Sequence, residues 1–544
     1  MGASSEYDYD VIVVGYGPTG QACASLLAKL GHRVCVYERW PTLYGLPRLI
    51  GFDAESARML QAAGDVNVAL RESYPIRRYV TYDRDMQPLV TYDWPEDHQC
   101  GYPIKTATYQ PYIEDAMDEA ARDRGVRVNT GWRVTDVTQD ESCAYVTAAP
   151  WSKEEVGENL KPALTKTLRA KYVVGADGAK SVVRAVLGIE RENLHYRDAW
   201  LSVDIERREC LPTKFLYGTS WQIAEVGNVI VIVPAGTKRM RFEFQVDPDG
   251  DHSALLVEDV AHRMLEERLG LTRREVEIVR LTIYPFEAQL AGEWRRGRIF
   301  LAGDAAHLMP PFLGEGAASG MRDATTLAWK LDLVLRGLTD DSFLDTYQIE
   351  RYPHVRHHVV VSVAIGEIVT ERDPEIAEAR NEELRTGDAP PPPADPILTT
   401  GVLLRGADGE PVALAGELAP QGWVHFEGRT GRFDDVVGWG FHLVARDEDP
   451  LELLDADQRA FLADINCRSV GVSIDERAQL ALDITWMYER YFEEHGVVAF
   501  LMRPDFYLFG TIRSLEELPA MVDDLRAQLG FHAHRDGEAV AAAR

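Results

Sequence analysis

The sequence predicts an α/β protein organised around a dinucleotide-binding unit, and three features predict it. β-branched runs ("YDVIVVG", "RVCVYE", "KYVVGAD", "RIFLAGD") alternate with helical ones ("TGQACASLLAKL", "YQPYIEDAMDEAARD", "SGMRDATTLAWKLDLVL"), as they do where strands pair beside crossover helices. Gly15, Gly17 and Gly20 stand in GxGxxG order between the first strand and the first helix. Between Arg191 and Tyr284 the strands come without helices except near Val257 to Leu269, which predicts a separate sheet-based lobe.

The first strand and its glycine turn form a Rossmann-like signature. Such glycines permit a tight turn, let a pyrophosphate approach the backbone and allow close helix packing, while the helix N-terminus favours the anion. Pro18 and Thr19 sit inside that turn. Glu38 follows the second strand, where a carboxylate accepts from an adenosine ribose hydroxyl. The same carboxylate repels a 2′-phosphate, so FAD or NAD fits this position better than NADP.

Composition narrows the partners. With 58 basic against 87 acidic residues and a net charge of -29, the chain repels nucleic acid and anionic lipid, so small molecules or proteins are expected. Cys23, Cys35, Cys100, Cys143, Cys210 and Cys467 are scattered singly, without metal-type spacing, which points to free thiols in a reducing compartment and to no structural metal. No apolar run approaches the roughly 20 residues of a membrane helix. No leader pattern precedes the first strand, and Glu6 breaks the myristoylation pattern, so a cytoplasmic protein is expected.

Two later motifs choose between FAD and NAD. "VVGADGAKSVVR" ends a strand on Asp177 and Gly178, and "IFLAGDAAH" ends another on Gly303 and Asp304. Further groups of this sort are needed only if the second half of the dinucleotide is long and polyhydroxylated, like a ribityl chain. The order GxGxxG, GADG, then GDAAH with "PP" and "SGMRDATTLAWKL" resembles the FAD-dependent aromatic hydroxylases, the single-component group A flavoprotein monooxygenases. The stretch "YPFEAQLAGEWRRGRIFLAGDAAH" is most similar to the branch that contains 3-(3-hydroxyphenyl)propionate hydroxylase and polyketide-tailoring relatives.

The resemblance implies noncovalent FAD, NADH or NADPH as a transient co-substrate, O2, and ring hydroxylation beside an existing phenolic hydroxyl through a flavin C4a-hydroperoxide. It implies that Gly15, Gly17 and Gly20 hold the pyrophosphate, Glu38 the ribose, and Arg39 the adenine side. Arg48 lies by the flavin, Gln110 serves the ribityl and phosphate region, and Asp304 binds ribityl hydroxyls. Asp177 serves the fold and, indirectly, both nucleotides; as Asp and Gly are common turn residues, a plain turn role fits it too. Gly314, Gly316 and Ala317 are expected to begin a helix whose N–H groups face the flavin pyrimidine and stabilise negative charge there. The Pro311 carbonyl matches a position facing the substrate hydroxyl, which makes Arg48 and Pro311 the catalytic candidates. Glu315 departs from the Gln or Lys of relatives; it is expected to point away from the ring or to carry a raised pKa.

Other residues are weighed on their own. His307 sits at a strand-to-loop corner and is expected to be structural. His354, His357 and His358 share a helix side without a carboxylate or cysteine to complete a metal set, so a solvated face is expected. In the sheet lobe, "FLYGTSW", "RMRFEFQV" and "IYPFEA" alternate, and Tyr217, Trp221 and Phe286 are taken as pocket aromatics, although a core needs the same pattern. Arg241 lies inside that alternation, where an arginine is costly unless it meets an anion or the flavin. Three rivals stay open: an FAD oxidase or dehydrogenase, which would not consume NAD(P)H; a flavin halogenase, for which no WxWxIP is present; and a non-enzymatic flavin-binding protein.

The expected FAD-binding domain comprises 1–72, 104–190 and 285–388, and the β-sheet substrate domain 73–103 and 191–284. A Pro-rich linker, "APPPPADP", falls in 389–397. Residues 398–544 resemble, through "LMRPDFYLFGT", the thioredoxin-like C-terminal domain of phenol hydroxylase. With Cys467 alone this α/β domain cannot run dithiol exchange; in relatives it covers the FAD domain and contributes to dimer contacts, so a structural role is expected for it, with a homodimer as one state that the resemblance allows.

Overall fold

The computed structural model describes residues 7–95, 98–151, 164–208, 219–225, 228–387 and 397–532. Tyr217 and, apart from Ile397, the expected linker lie outside the described residues. The chain divides into two compact units, one comprising residues 1–98, 102–324 and 355–395, the other 99–101, 325–354 and 396–544.

In the first unit, five strands run parallel in the order Ile299–Leu301, Lys166–Gly175, Tyr9–Val14, Val34–Glu38 and Arg127–Thr130. Tyr9–Val14 lies at the centre, and Val11, Ile12 and Val13 are fully buried. Continuous apolar runs of this kind mark parallel strands buried on both faces. The helix Pro18–Lys29 starts on a proline, whose missing N–H costs nothing at that position.

A second sheet of eight strands takes in Arg78–Tyr82, Pro88–Asp93, Arg191–Arg207, Thr219–Ile223, Ile230–Pro234, Arg239–Val246, Val276–Ala291 and His307–Leu308. Its central strands put apolar and polar residues on opposite faces. Leu201, Val203, Ile205, Phe242 and Phe244 form an apolar core together with Ala261 and Leu265 of the helix Glu258–Leu269. The opposite face carries Trp200, Ser202, Asp204, Arg241, Glu243 and Gln245, since neighbours along a strand point to opposite sides.

The second unit holds a seven-stranded sheet in the order Arg429–Arg432, Trp423–Phe426, Ala481–Asp483, Arg468–Ser473, His442–Arg446, Ala499–Met502, Leu508–Ile512. Within it, Arg503 bridges Glu350 and Asp505, and Lys330 lies 3.1 Å from Glu350, with all four side chains at most 2% exposed. Each buried charge is matched, as burial requires. No helix among the described residues is long and apolar enough to cross a membrane.

Candidate active site

Four adjacent parallel strands deliver the predicted motifs to one edge of the first sheet. The carboxyl ends of Tyr9–Val14, Val34–Glu38, Lys166–Gly175 and Ile299–Leu301 carry, in turn, the glycine turn, Glu38, the Asp177 turn and the Asp304 turn. That edge is where open α/β sheets bind ligands.

The three glycines divide the work. Gly15 has φ +97°, and a Cβ on it would fall 2.3 Å from the Ala176 carbonyl oxygen; one on Gly20 would fall 2.2 Å from the Gly15 oxygen. A Cβ on Gly17, at the helix N-cap, would meet nothing within 4 Å. Two glycines therefore serve packing, and the middle one leaves the helix N-terminus open to a pyrophosphate, so the residues fit the group. Glu38 accepts from the Tyr16 and Trp40 amides, both at 2.8 Å, and a carboxylate retains lone pairs for ribose hydroxyls. The Arg39 guanidinium lies over the Trp40 ring.

Thr19 wedges between the other two segments. A Cβ on Gly303 or on Gly320 would lie 2.6 or 2.3 Å from its hydroxyl. The small residues of the "GDAAH" region therefore bring the glycine turn and the helix Gly316–Leu335 together. The Gly303 amide and the His307 Nε2 both meet Asp323 Oδ2, at 2.9 and 2.7 Å, which places His307 as a buried structural group. Asp177 Oδ2 accepts from the Val182 and Val183 amides at 2.7 and 3.2 Å, and burial raises its pKa. Its contacts are those of a helix cap.

Around Asp304 two long-range contacts converge. Its carboxylate accepts from Arg48 Nη2 at 2.9 Å, and its backbone oxygen accepts from Arg191 at 2.5 Å, while Arg184 donates to the Ala305 oxygen. Gln110 Oε1 accepts from the Arg48 and Leu49 amides, and its Nε2 donates to Glu114. Burial pushes the Glu114 carboxyl up to about 7. Gln110 thus pins the Arg48 loop by its backbone.

Arg241 is buried and meets an anion, as its place in the alternation demands. It donates to both oxygens of Asp204, at 2.7 and 3.1 Å, and to the Pro47 and Arg48 carbonyls, both at 2.9 Å. Arg280 reaches the same Pro47 oxygen and Asp204. Burial works against the Arg241 charge, but Asp204 and Glu243 more than offset it, so its pKa is raised. Farther along the same face Trp200 stacks on Phe286, and both rings meet Phe312. Trp221 pairs by backbone with Ile232, a member of the core cluster.

The approach to the helix differs from expectation in one detail. Gly314, with φ +74°, ends the turn Pro311–Leu313, and the helix begins at Gly316. The Pro311 carbonyl accepts from the Gly314 amide at 2.8 Å, leaving its second lone pair for another donor. Ala317 follows in the first helical turn. Glu315 accepts from Arg322 at 2.7 Å and from Lys105 at 3.2 Å, and burial, reinforced by Asp53, raises its pKa. Arg322 also reaches Asp53 and Glu55, both at 2.6 Å. The histidine expectation needs correction: His354 and His358 are buried, the former bonded to Arg351 and Tyr507. Helical spacing put them on one side but did not say that side was covered.

Sequence reading missed Arg191, Arg322, Asp204 and Arg280. The last two carried a signal, since each is a charged residue inside an apolar alternation ("WLSVDIE", "VEIVRLTIY") as Arg241 is. Arg191 and Arg322 act through partners far off in the chain and left none.

A family model described as an FAD binding domain matches residues 8–362, and one described as the HcaD C-terminal domain matches 416–528. The chain belongs to the FAD-dependent aromatic hydroxylases. It is 34% identical over 528 residues to a probable NADH-specific resorcinol 4-hydroxylase of Rhodococcus jostii (strain RHA1), covering 95% of this chain and 94% of that one. It is 33% identical to a 3-(3-hydroxy-phenyl)propionate/3-hydroxycinnamic acid hydroxylase of Mycobacterium avium (strain 104), over 71% of this chain and 66% of the relative. The fold matches the crystal structure of aklavinone-11 hydroxylase in a ternary complex with FAD and aklavinone, with TM-score 0.74, 24% identity, and 97% and 100% of the two chains covered. FAD is the cofactor of this flavoprotein monooxygenase, and NAD(P)H is its source of electrons.

Proposed function

We propose that this hydroxylase uses NADH and O2 to add a hydroxyl to a phenolic ring beside an existing hydroxyl. The observation that carries the reading is the convergence of the glycine turn, Glu38, Asp177 and Asp304 on four adjacent strand ends, with Arg48 drawn onto Asp304. FAD, once bound, supplies the electron transfer and oxygen chemistry. The chain's own residues orient and shield. Gly15, Gly17, Pro18, Thr19 and Gly20 take the pyrophosphate, Glu38 and Arg39 the adenosine end, and Gln110, Gly303 and Asp304 the ribityl region. Gly314, Gly316 and Ala317 present backbone to the pyrimidine edge of the ring. Arg48 lies against the ring, and the Pro311 carbonyl accepts from the substrate hydroxyl. Phe286 and Trp200 flank the aromatic substrate, and Arg241 supports the Arg48 loop.

The preference for NADH rests on the name of the Rhodococcus relative. A cytoplasmic setting is supported by free Cys23, Cys35, Cys143 and Cys467 among the described residues. The thioredoxin-like reading of the second unit is supported by its strand order, in which His442–Arg446 runs parallel to Arg468–Ser473 and antiparallel to Ala499–Met502. The test is a panel of phenols added to the FAD-loaded protein with NADH or NADPH. Stimulated NADH oxidation with a product heavier by one oxygen supports the reading; oxidation of a phenol without NAD(P)H consumption supports an oxidase instead.

A further inference from the structure

The polar face of the eight-stranded sheet is built in rows. Asp204 pairs with Arg241 and Arg280, Ser202 with Glu243 and Thr282, and Trp200 with Gln245 and Tyr284. The first row is bonded to the Pro47 and Arg48 carbonyls, and the third reaches Phe286 and Phe312 beside Pro311. The middle row therefore lies between the loop assigned to the flavin and the turn assigned to the substrate.

Its chemistry is unusual for such a place. Glu243, with a side chain 13% exposed, accepts from the Ser202 hydroxyl at 2.9 Å through Oε1, and the same oxygen lies 3.8 Å from Arg241. A carboxylate has about four acceptor sites, so Oε2 remains able to accept. The charged groups nearest Glu243 are Arg241, Arg280 and Asp204. Both arginines are committed to Asp204 and to backbone carbonyls. Burial raises the Glu243 pKa against the pull of Arg241, and a ligand carboxylate here, with no spare cation, would either face a like charge or force one carboxyl to take up a proton, a cost that works as rejection.

We propose that Ser202 and Glu243 form a subsite that accepts a hydrogen bond from a substrate hydroxyl, and that this subsite selects uncharged, polyhydroxylated aromatics over aromatic carboxylates. The inference rests on the hydroxylase reading and adds the substrate class to it. A site built to bond a hydroxyl rejects ligands that leave its buried acceptor unpaired.

The probes are resorcinol and 3-(3-hydroxyphenyl)propionate, each added to the FAD-loaded full chain. Binding is followed by perturbation of flavin absorbance and turnover by NADH oxidation. The wild-type protein is expected to bind resorcinol at least about tenfold more tightly than the carboxylate. Glu243→Gln should raise the KM for resorcinol by about tenfold, change kcat by less than about threefold, and narrow the preference, with FAD content kept. Ser202→Ala, which leaves the carboxylate in place, should move KM the same way by less; it carries the test if the first variant fails to hold FAD. Phenol-stimulated turnover with KM and preference unaltered in both variants overturns the subsite alone. Absence of stimulation by either phenol overturns the hydroxylase reading and the subsite with it.

Discussion

Arg48 and Asp304, 256 residues apart, are joined by a 2.9 Å hydrogen bond. One sits on the loop held by Gln110 and Arg241, the other on the turn held by Arg191. The resemblance assigns both to the flavin, and the fold brings them to one place. The pair is half open to solvent, with the Arg48 side chain 58% exposed, so its own contribution to stability is small. On the proposed reading, its value lies in orienting two polar groups toward the flavin.

Asp304→Ala is expected to raise the FAD dissociation constant about tenfold or more, since charge-assisted hydrogen bonds contribute about 1.5–3 kcal/mol each. Titration of the stripped protein with FAD, read by flavin fluorescence, checks this. An unchanged constant removes Asp304 from the ribityl site.

Arg241 fixes the backbone that carries Arg48 through two carbonyl contacts. Arg241→Lys cannot make the forked set, so the loop should hold its position less firmly. Phenol is expected to accelerate flavin reduction by NADH in the wild-type protein, and the ratio of rates with and without phenol should fall in the variant. Stopped-flow reduction measures both rates; the same ratio in the two proteins contradicts the assignment.

At Gly316 a Cβ would meet only Met309 Cγ, at 3.8 Å, so the protein itself tolerates a side chain there. Gly316→Val should fold normally yet keep the flavin ring from the helix N-terminus, whose N–H groups stabilise developing charge only at about 2.7–3.1 Å. The expected result is a lower flavin potential and uncoupled turnover, with hydrogen peroxide replacing hydroxylated product. Wild-type coupling and potential would show that the helix is not the donor to the ring.

Arg322 alone reaches three carboxylates, Asp53, Glu55 and Glu315, with Lys105 as the second cation. Although burial works against the Asp53 charge, Arg322 and Lys105 hold its carboxyl well below the usual range. Arg322→Ala leaves buried charge uncompensated, at a cost of about 3–5 kcal/mol. Without Arg322 the Asp53 pKa rises above its unfolded value, so the folded variant binds more protons than the unfolded chain. Its stability deficit should therefore grow as pH rises from about 5 to 8. Urea unfolding at both pH values checks the sign; a deficit that shrinks with pH contradicts it.

What the sequence made legible was local. The glycine turn, Glu38 and the Asp177 and Asp304 turns each need only a few neighbouring residues to explain their chemistry. The lobe of alternating strands was legible for the same reason, because period-two patterning is a property of one segment. Arg322 reaching Asp53 and Glu55, and Arg241 reaching Pro47 and Arg48, depend on segments about 200 or more residues apart, and no local pattern announces them. Gly314 shows a smaller limit: it is expected to open the helix, but with a left-handed φ it closes the Pro311–Leu313 turn instead. His354 and His358 show another, since spacing gives a shared side and only packing says whether that side is covered.

The most direct test of the hydroxylase account is turnover of the FAD-loaded protein with NADH and resorcinol under ¹⁸O₂. The account predicts a product carrying one ¹⁸O, formed in near one-to-one ratio with NADH consumed and dependent on the phenol. NADH-independent oxidation, or a product whose new oxygen comes from water, would contradict it.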